Sequence, residues 1–427
     1  MSTEAFADFS PYDTAVLANP YPYYAWMRER ALVYRSPLGS AAWMFTQPGD
    51  PEGPVYVVTG YQQIVEVLEN PTVFTSEAKT GPPPPPAVRK ELESGYPLTP
   101  TSFNTDPPEH AKKRRLIQRA MSAERVVSRE PRLRAIADDL IDGFAADGET
   151  DLFREFCLPY NKTAMFDLLG APTEDHDRIA AWNENYLRLA IPGNPPEEEG
   201  TAAKELVAYQ RYLEAAIDLR RTAPRDDVFS VLATAAPEHQ RDMAETVWGL
   251  VVLIGAGQGT AAEALGNVLH LLLSDPDRWD ALREHRESIP AAVEEGLRLE
   301  GPVLWMPRRT SRDVELGGVM LEAGTYIVVG YSAANRDPSA FPEPDHYDLR
   351  RGGEGPCGRH VAIGRGVHTC VGAHFARGTL RVGVNALLDR LPGLRLRPGW
   401  EAKFFPPTPM FRCVAELPVT WSGGGET

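Results

Sequence analysis

The chain has 427 residues, 43% of them hydrophobic and 24% charged, with a formal net charge of -15 and a pI near 5.2. That composition supports a large buried core and excludes a disordered polymer. The acidity argues against nucleic acid or anionic membrane as partners, because both need a basic face.

The N-terminal stretch Met1 to Asp8 has neither a basic start nor an apolar run, so no secretory signal is expected. Val55-Tyr56-Val57-Val58-Thr59 predicts a strand ending at Gly60. Prolines 82–86 predict an extended loop. From about 109 to 300, apolar residues recur at spacings of three and four, which predicts mostly helix. A Pro/Glu/Gly cluster at 192–200 predicts a second long loop. Asp242 to Asp275 reads as one helix of over thirty residues, roughly 50 Å long. Its apolar run, Val247 to Gly257, falls short of the ~20 residues that span a bilayer. Strand signals return near 314–330 and 404–420, and glycines 352, 353 and 355 predict a third loop. Residues 422–427 predict a frayed tail. No internal repeat is present and no long linker divides the chain. The expected fold is therefore mainly α with small β-sheets, residues 1–427 forming a single domain, monomeric and cytoplasmic, without a membrane partner.

The four cysteines, Cys157, Cys357, Cys370 and Cys413, are too few and too scattered for a disulfide scaffold. Neither CxxC nor HExxH occurs, so zinc is not expected. Cys370 stands apart, because Gly364 and Gly366 free the backbone for a tight turn just before it. A helical pattern of Phe375, Leu380, Val384, Leu387, Leu388 and Leu391 begins just after it and stops at Pro392-Gly393. Cys370 is thus expected at a helix N-terminus, where free N–H groups and the dipole favour a thiolate.

Gly364, Gly366, His368, Cys370 and Gly372 together make Gly-x-Gly-x-His-x-Cys-x-Gly. This resembles the heme-binding loop of the cytochrome P450 superfamily, in its soluble bacterial form. The resemblance runs from Asn19-Pro20-Tyr21-Pro22 to Leu417, and Ile363 stands where the family usually has Phe. It implies a P450 fold with a long central helix over heme b (iron protoporphyrin IX), and Cys370 as the iron ligand. Glu295-Gly296-Leu297-Arg298 matches the family's Glu-x-x-Arg, with Arg351 as its later partner in a buried ion network. His110, Arg114, Arg308 and His368 match the positions that meet the heme carboxylates.

The middle of the long helix, Leu253-Ile254-Gly255-Ala256-Gly257-Gln258-Gly259-Thr260-Ala261, holds three glycines that each cost about 1 kcal/mol relative to alanine. They permit close helix packing or a groove for something bulky. By resemblance, Ala256, Gly257 and Thr260 line the oxygen site. The family's acid before that threonine is missing, since Gly259 occupies its place. Proton delivery is then left to water, to Gln258 or Glu263, to the substrate, or to an oxidant such as peroxide that already carries protons.

Substrate contacts implied by resemblance are Tyr96 to Phe103, Tyr186 to Ile191, Ile254, Val303, Leu304, Trp305, Met410 and Phe411, which suit a small hydrophobic or aromatic molecule. No dinucleotide fingerprint is present, so electrons are expected from a separate ferredoxin and ferredoxin reductase. Lys112, Lys113, Arg115, Arg365 and Arg377 are candidates for the docking face. The leading expectation is a heme-thiolate monooxygenase that hydroxylates, epoxidises or demethylates its substrate. The alternatives are a peroxide-driven enzyme, motivated by Gly259, and a heme-binding protein without turnover.

Overall fold

The computed structural model describes residues 10–40, 43, 53–76, 86–189, 195–236, 242–351, 359–404 and 410–422. Prolines 82–85, the glycines at 352, 353 and 355, Cys357 and residues 423–427 lie outside these.

Helices dominate, with small sheets beside them, as expected. At its middle runs the helix Met243–Leu273, close to the predicted bounds. Asp242 caps it, its carboxylate accepting from the Glu245 N–H at 2.6 Å. Its apolar residues point in all directions, which a helix tolerates only inside a core. The helix packs against Leu158–Leu169, His176–Leu189, Ile289–Glu300 and the C-terminal helix Ala373–Arg390. Two of its glycines answer to that packing. A Cβ at Gly255 would sit 3.2 Å from the Tyr186 ring, and one at Gly257 3.2 Å from the Met165 methyl.

A five-stranded sheet flanks the helices in the order Val33–Arg35, Val55–Val58, Tyr326–Val329, Met306–Thr310, Phe74–Thr75. Only the pair Val55–Val58 and Tyr326–Val329 is parallel. A second sheet of three short strands joins Glu149–Asp151 and Arg395–Leu396 to Pro418–Thr420. The strand expected at 55–59 is present, and Gly60 caps the next helix, Tyr61–Glu69.

Two loop expectations change. Residues 196–200 form the first turn of a helix, Pro196–Thr222. A proline at the start of a helix lacks only an N–H that would be unpaired anyway, and Glu197, Glu198 and Glu199 complement the positive dipole end. Likewise Pro86 opens the short helix Pro86–Leu92.

The ion network expected around Glu295 is sealed from water. Arg298 and Glu295 are both fully buried and meet in two contacts of 2.7 and 2.8 Å. Arg351 approaches Glu295 at 3.5 Å, and the Asp348 N–H donates to the same carboxylate at 3.0 Å. Arg298 also donates to the carbonyls of Asn335, Pro344 and His346. The Asn335 side chain in turn accepts from the Val361 N–H at 2.7 Å. One buried pair thereby fixes the chain from 335 to 348 and the start of the cysteine loop. Replacing Arg298→Ala strands a buried carboxylate, so a loss of about 3–5 kcal/mol is expected. Urea unfolding followed by circular dichroism measures it, and an unchanged midpoint contradicts the assigned role.

Candidate active site

The cysteine loop is built around two glycines in the left-handed region. Gly364 and Gly366 both have φ of 71°. At Gly366 a Cβ would also fall 2.4 Å from the Leu68 carbonyl oxygen, so no other residue seats this turn against the helix Tyr61–Glu69. Arg365 reinforces the seat by pairing with Glu69 at 2.5 Å. The Cys370 N–H closes the loop on the Ile363 carbonyl at 2.9 Å. Ile363 itself is half-buried.

Cys370 does not stand at the first turn of the following helix, as expected. Gly372 caps that helix, and Cys370 lies two residues earlier. The local anion-stabilising group is the Gly372 N–H, which bonds the sulfur. Burial raises the thiol above its usual range, and the Gly372 N–H, Arg114 and Arg377 oppose that rise. Cys370 as a residue is nonetheless exposed. A soft sulfur, desolvated yet accessible and faced by two cations, suits an iron ligand.

The four expected carboxylate partners gather beside the loop. His110 and Arg114 stand one turn apart on the helix Glu109–Ala120. Arg114 donates to the Thr369 carbonyl, next to the cysteine. The His110 and His368 rings lie 4.4 Å apart, and His368 bonds Asp106 at 3.1 Å. Arg308, on the strand Met306–Thr310, bonds Tyr331, whose hydroxyl lies near Gly364. Burial, with His368 and Arg114 adding repulsion, lowers His110 to about 4. Its Nε2 is buried with no hydrogen-bond partner among the described residues. An unpaired imidazole nitrogen among cations has the chemistry of a carboxylate receptor. These residues therefore fit heme: Cys370 would hold its iron, and His110, Arg114, Arg308 and His368 would face its carboxylates.

The same helix reaches the central helix from its other side. Lys113 pairs with Glu245 at 2.8 Å, and Gly249 lets Ile117 approach. In the central helix, Ile254 is fully buried and Ala261 nearly so, yet Ala256 is exposed and residues 257–260 are half-buried. The middle is therefore open on one side. The Thr260 hydroxyl donates back to the Ala256 carbonyl at 2.7 Å, and the Asn161 amide donates to the carbonyls of Gly257 and Gln258 at 2.9 and 2.7 Å.

Among the expected substrate contacts, Val303 and Phe411 bridge one another, and the Leu304 N–H bonds the Met410 carbonyl at 2.8 Å. These two segments form one patch. Ile254 and Leu304 are packed in separate apolar clusters and present almost no surface. Of the five expected docking cations, Lys112, Lys113, Arg365 and Arg377 are each paired with a carboxylate, and Arg115 is exposed. Lys113 points toward the start of the central helix.

Sequence reasoning missed Glu294. This carboxylate binds Arg377 through both oxygens at 2.6 and 2.7 Å and His360 at 3.0 Å. Burial would raise it, but these two partners hold it near 2. It grips the cysteine loop before and after the sulfur. Its neighbour Glu295 supplied the visible motif and masked it.

A family model described as Cytochrome P450 matches residues 214–392. The chain is 34% identical to the nocardicin C N-oxygenase of Nocardia uniformis subsp. tsuyamanensis, over 96% of this chain and 98% of that protein. It is 32% identical to the vitamin D(3) 25-hydroxylase of Pseudonocardia autotrophica, over 94% of each chain. The crystal structure of CalO2 superimposes with a TM-score of 0.82 at 29% identity, covering 98% of this chain and 99% of that one.

Replacing Glu294→Gln should cost about 1.5–3 kcal/mol at neutral pH, the worth of charged hydrogen bonds lost at Arg377 and His360. Glu294 is held below its ordinary value of 4.5, so its contribution is present above that pH and fades as pH falls toward 2. The stability gap between wild type and variant should narrow over that window. Denaturant midpoints measured from pH 7 downward check this, and a gap independent of pH refutes it.

Proposed function

Because this chain belongs to the cytochrome P450 family, and is a heme-thiolate monooxygenase, we propose that it inserts one oxygen atom from O2 into a small hydrophobic or aromatic organic molecule. The carrying observation is Cys370, accessible at the end of a two-glycine loop and beside a cluster of carboxylate-binding side chains. Heme bound through a cysteine thiolate supplies the oxygen-activating chemistry, because the thiolate pushes electron density toward O–O cleavage. The protein's own contribution is to hold that sulfur, to neutralise two carboxylates and to present the open middle of the central helix to the substrate.

The cofactor in this reading is heme b. Electrons come from a separate ferredoxin and ferredoxin reductase, and residues 1–427 work as one monomeric cytoplasmic domain. Arg115, exposed like Lys112, is a cation for a donor to meet. Reaction types suited to the site are hydroxylation, epoxidation and demethylation. The relatives act, by their names, on nocardicin C and vitamin D(3), which favours an organic molecule of modest size. The Val303, Met410 and Phe411 patch offers it an apolar contact. In this reading Thr260 orders the oxygen side. A second reading, turnover driven by peroxide, is favoured only by Gly259.

Purified protein should show the thiolate-type band when reduced under carbon monoxide, and Cys370→Ala should abolish it. Compounds that shift the heme spin state define the substrate class. Product formed with ferredoxin and reductase at rates above those with peroxide supports the first reading. Product with peroxide alone selects the second, and colourless protein from porphyrin-supplied cells overturns both.

A further inference from the structure

Gly259 removes the acid that would precede Thr260, yet a carboxylate stands within one helical turn. Residues three and four apart are neighbours on a helix surface. At about 100° per residue, Glu263 lies about 40° from Gly259 and about 60° from Thr260, between them in azimuth. Helical side chains lean toward the N-terminus and cover the turn before their own Cα. Glu263 does so: its Oε1 lies 3.4 Å from where a Gly259 Cβ would be. Its other oxygen, Oε2, is buried with no hydrogen-bond partner among the described residues. A side chain at 259 would compete with this carboxyl for the same space. Gln258 is the weaker candidate, because it lies about 140° around the helix from Glu263 and its amide does not titrate.

We propose that the Glu263 carboxyl replaces the acid missing at Gly259 and delivers protons toward the Thr260 hydroxyl. The inference rests on the monooxygenase reading above. Thr260 donates its hydroxyl hydrogen to Ala256, which leaves its oxygen lone pairs open to accept. In the relay, the Glu263 O–H bond breaks and the proton passes through water to that oxygen. The threonine hydroxyl turns away from Ala256 and gives its own proton to the oxygen being reduced, and the carboxylate is refilled from solvent. No net charge accumulates.

Burial alone pushes the Glu263 carboxyl up to about 7, so both protonation states are populated near neutral pH. No ionised side chain among the described residues shifts it. Cys413, from the segment that follows Met410, is its titratable neighbour. Its thiol is pushed up to about 12 by burial and by Glu263, and stays neutral. Asn161, facing the helix from Leu158–Leu169, carries no charge.

Two measurements test the relay. Infrared titration of the heme-loaded protein should show a carboxyl band with a midpoint near pH 7 that Glu263→Gln removes. Oxygen uptake, with electrons supplied photochemically by a deazaflavin, should fall as pH rises through that midpoint. In Glu263→Gln it should be slower by on the order of 10²-fold, the low end for a positioned acid, and flat with pH. Combining Gly259→Glu with Glu263→Ala, which clears the space at 259, should restore a fast rate that again falls with pH. Absence of the band, or an unchanged rate and pH profile in Glu263→Gln, overturns the proposal. A wild type that lacks the carbon monoxide band is a failure of the monooxygenase reading instead, and the infrared midpoint still decides where the proton resides. The carbon monoxide band of each variant shows that it has folded around heme.

Discussion

A carboxylate and a guanidinium shut away from water hold this site in place. Glu295 and Arg298 are fully buried, and such a pair persists only when every remaining donor and acceptor is satisfied. Here the remaining bonds go to the backbone at Asn335, Pro344, His346 and Asp348. They turn an irregular stretch of chain into a fixed platform. Asn335 passes the constraint to Val361, and Glu294 passes a second one to His360 and Arg377. The cysteine loop is thus held at its start, at its far end and, through Gly366 against Leu68, from the side. A ligand loop needs that rigidity, because a sulfur free to wander would offer no defined bond direction.

The electrostatics around the sulfur are arranged as oppositions. Burial works against the thiolate, while Arg114, Arg377 and the Gly372 N–H work for it. Burial, with repulsion from His368 and Arg114 acting the same way, keeps His110 neutral at physiological pH. An incoming carboxylate would reverse that balance by placing negative charge against the unpaired His110 nitrogen. The protein thereby avoids a dense knot of uncompensated positive charge and still retains the groups that bind anions.

The central helix carries a different tension. A run of glycines weakens a helix, and this one tolerates them because Tyr186, Asn183 and Met165 press on Gly255 and Gly257. Among the described residues, Gly259 has no such neighbour from another helix. Glu263 of the same helix comes nearest, its Oε1 in ordinary contact with the place a Cβ would take. The open face at Ala256 and the hydroxyl of Thr260 lie on the same stretch.

The sequence alone determined the features that depend on local order. The strand at 55–58, the long central helix and the mainly α architecture all follow from periodicity and residue propensity, which act between near neighbours. The cysteine loop was legible because three glycines, a histidine and a cysteine fall at alternate positions within nine residues. Tertiary structure decided the rest, because it concerns residues far apart in the chain. Nothing local to Gly366 reveals the Leu68 carbonyl that excludes a side chain there. Nothing local to Lys113 shows that it turns to Glu245, nor to Ile254 that it is wholly buried. Glu294 read like any helix carboxylate until folding brought His360 and Arg377 to it, since charge pairing and exclusion of water are set by distances that only the packed chain defines.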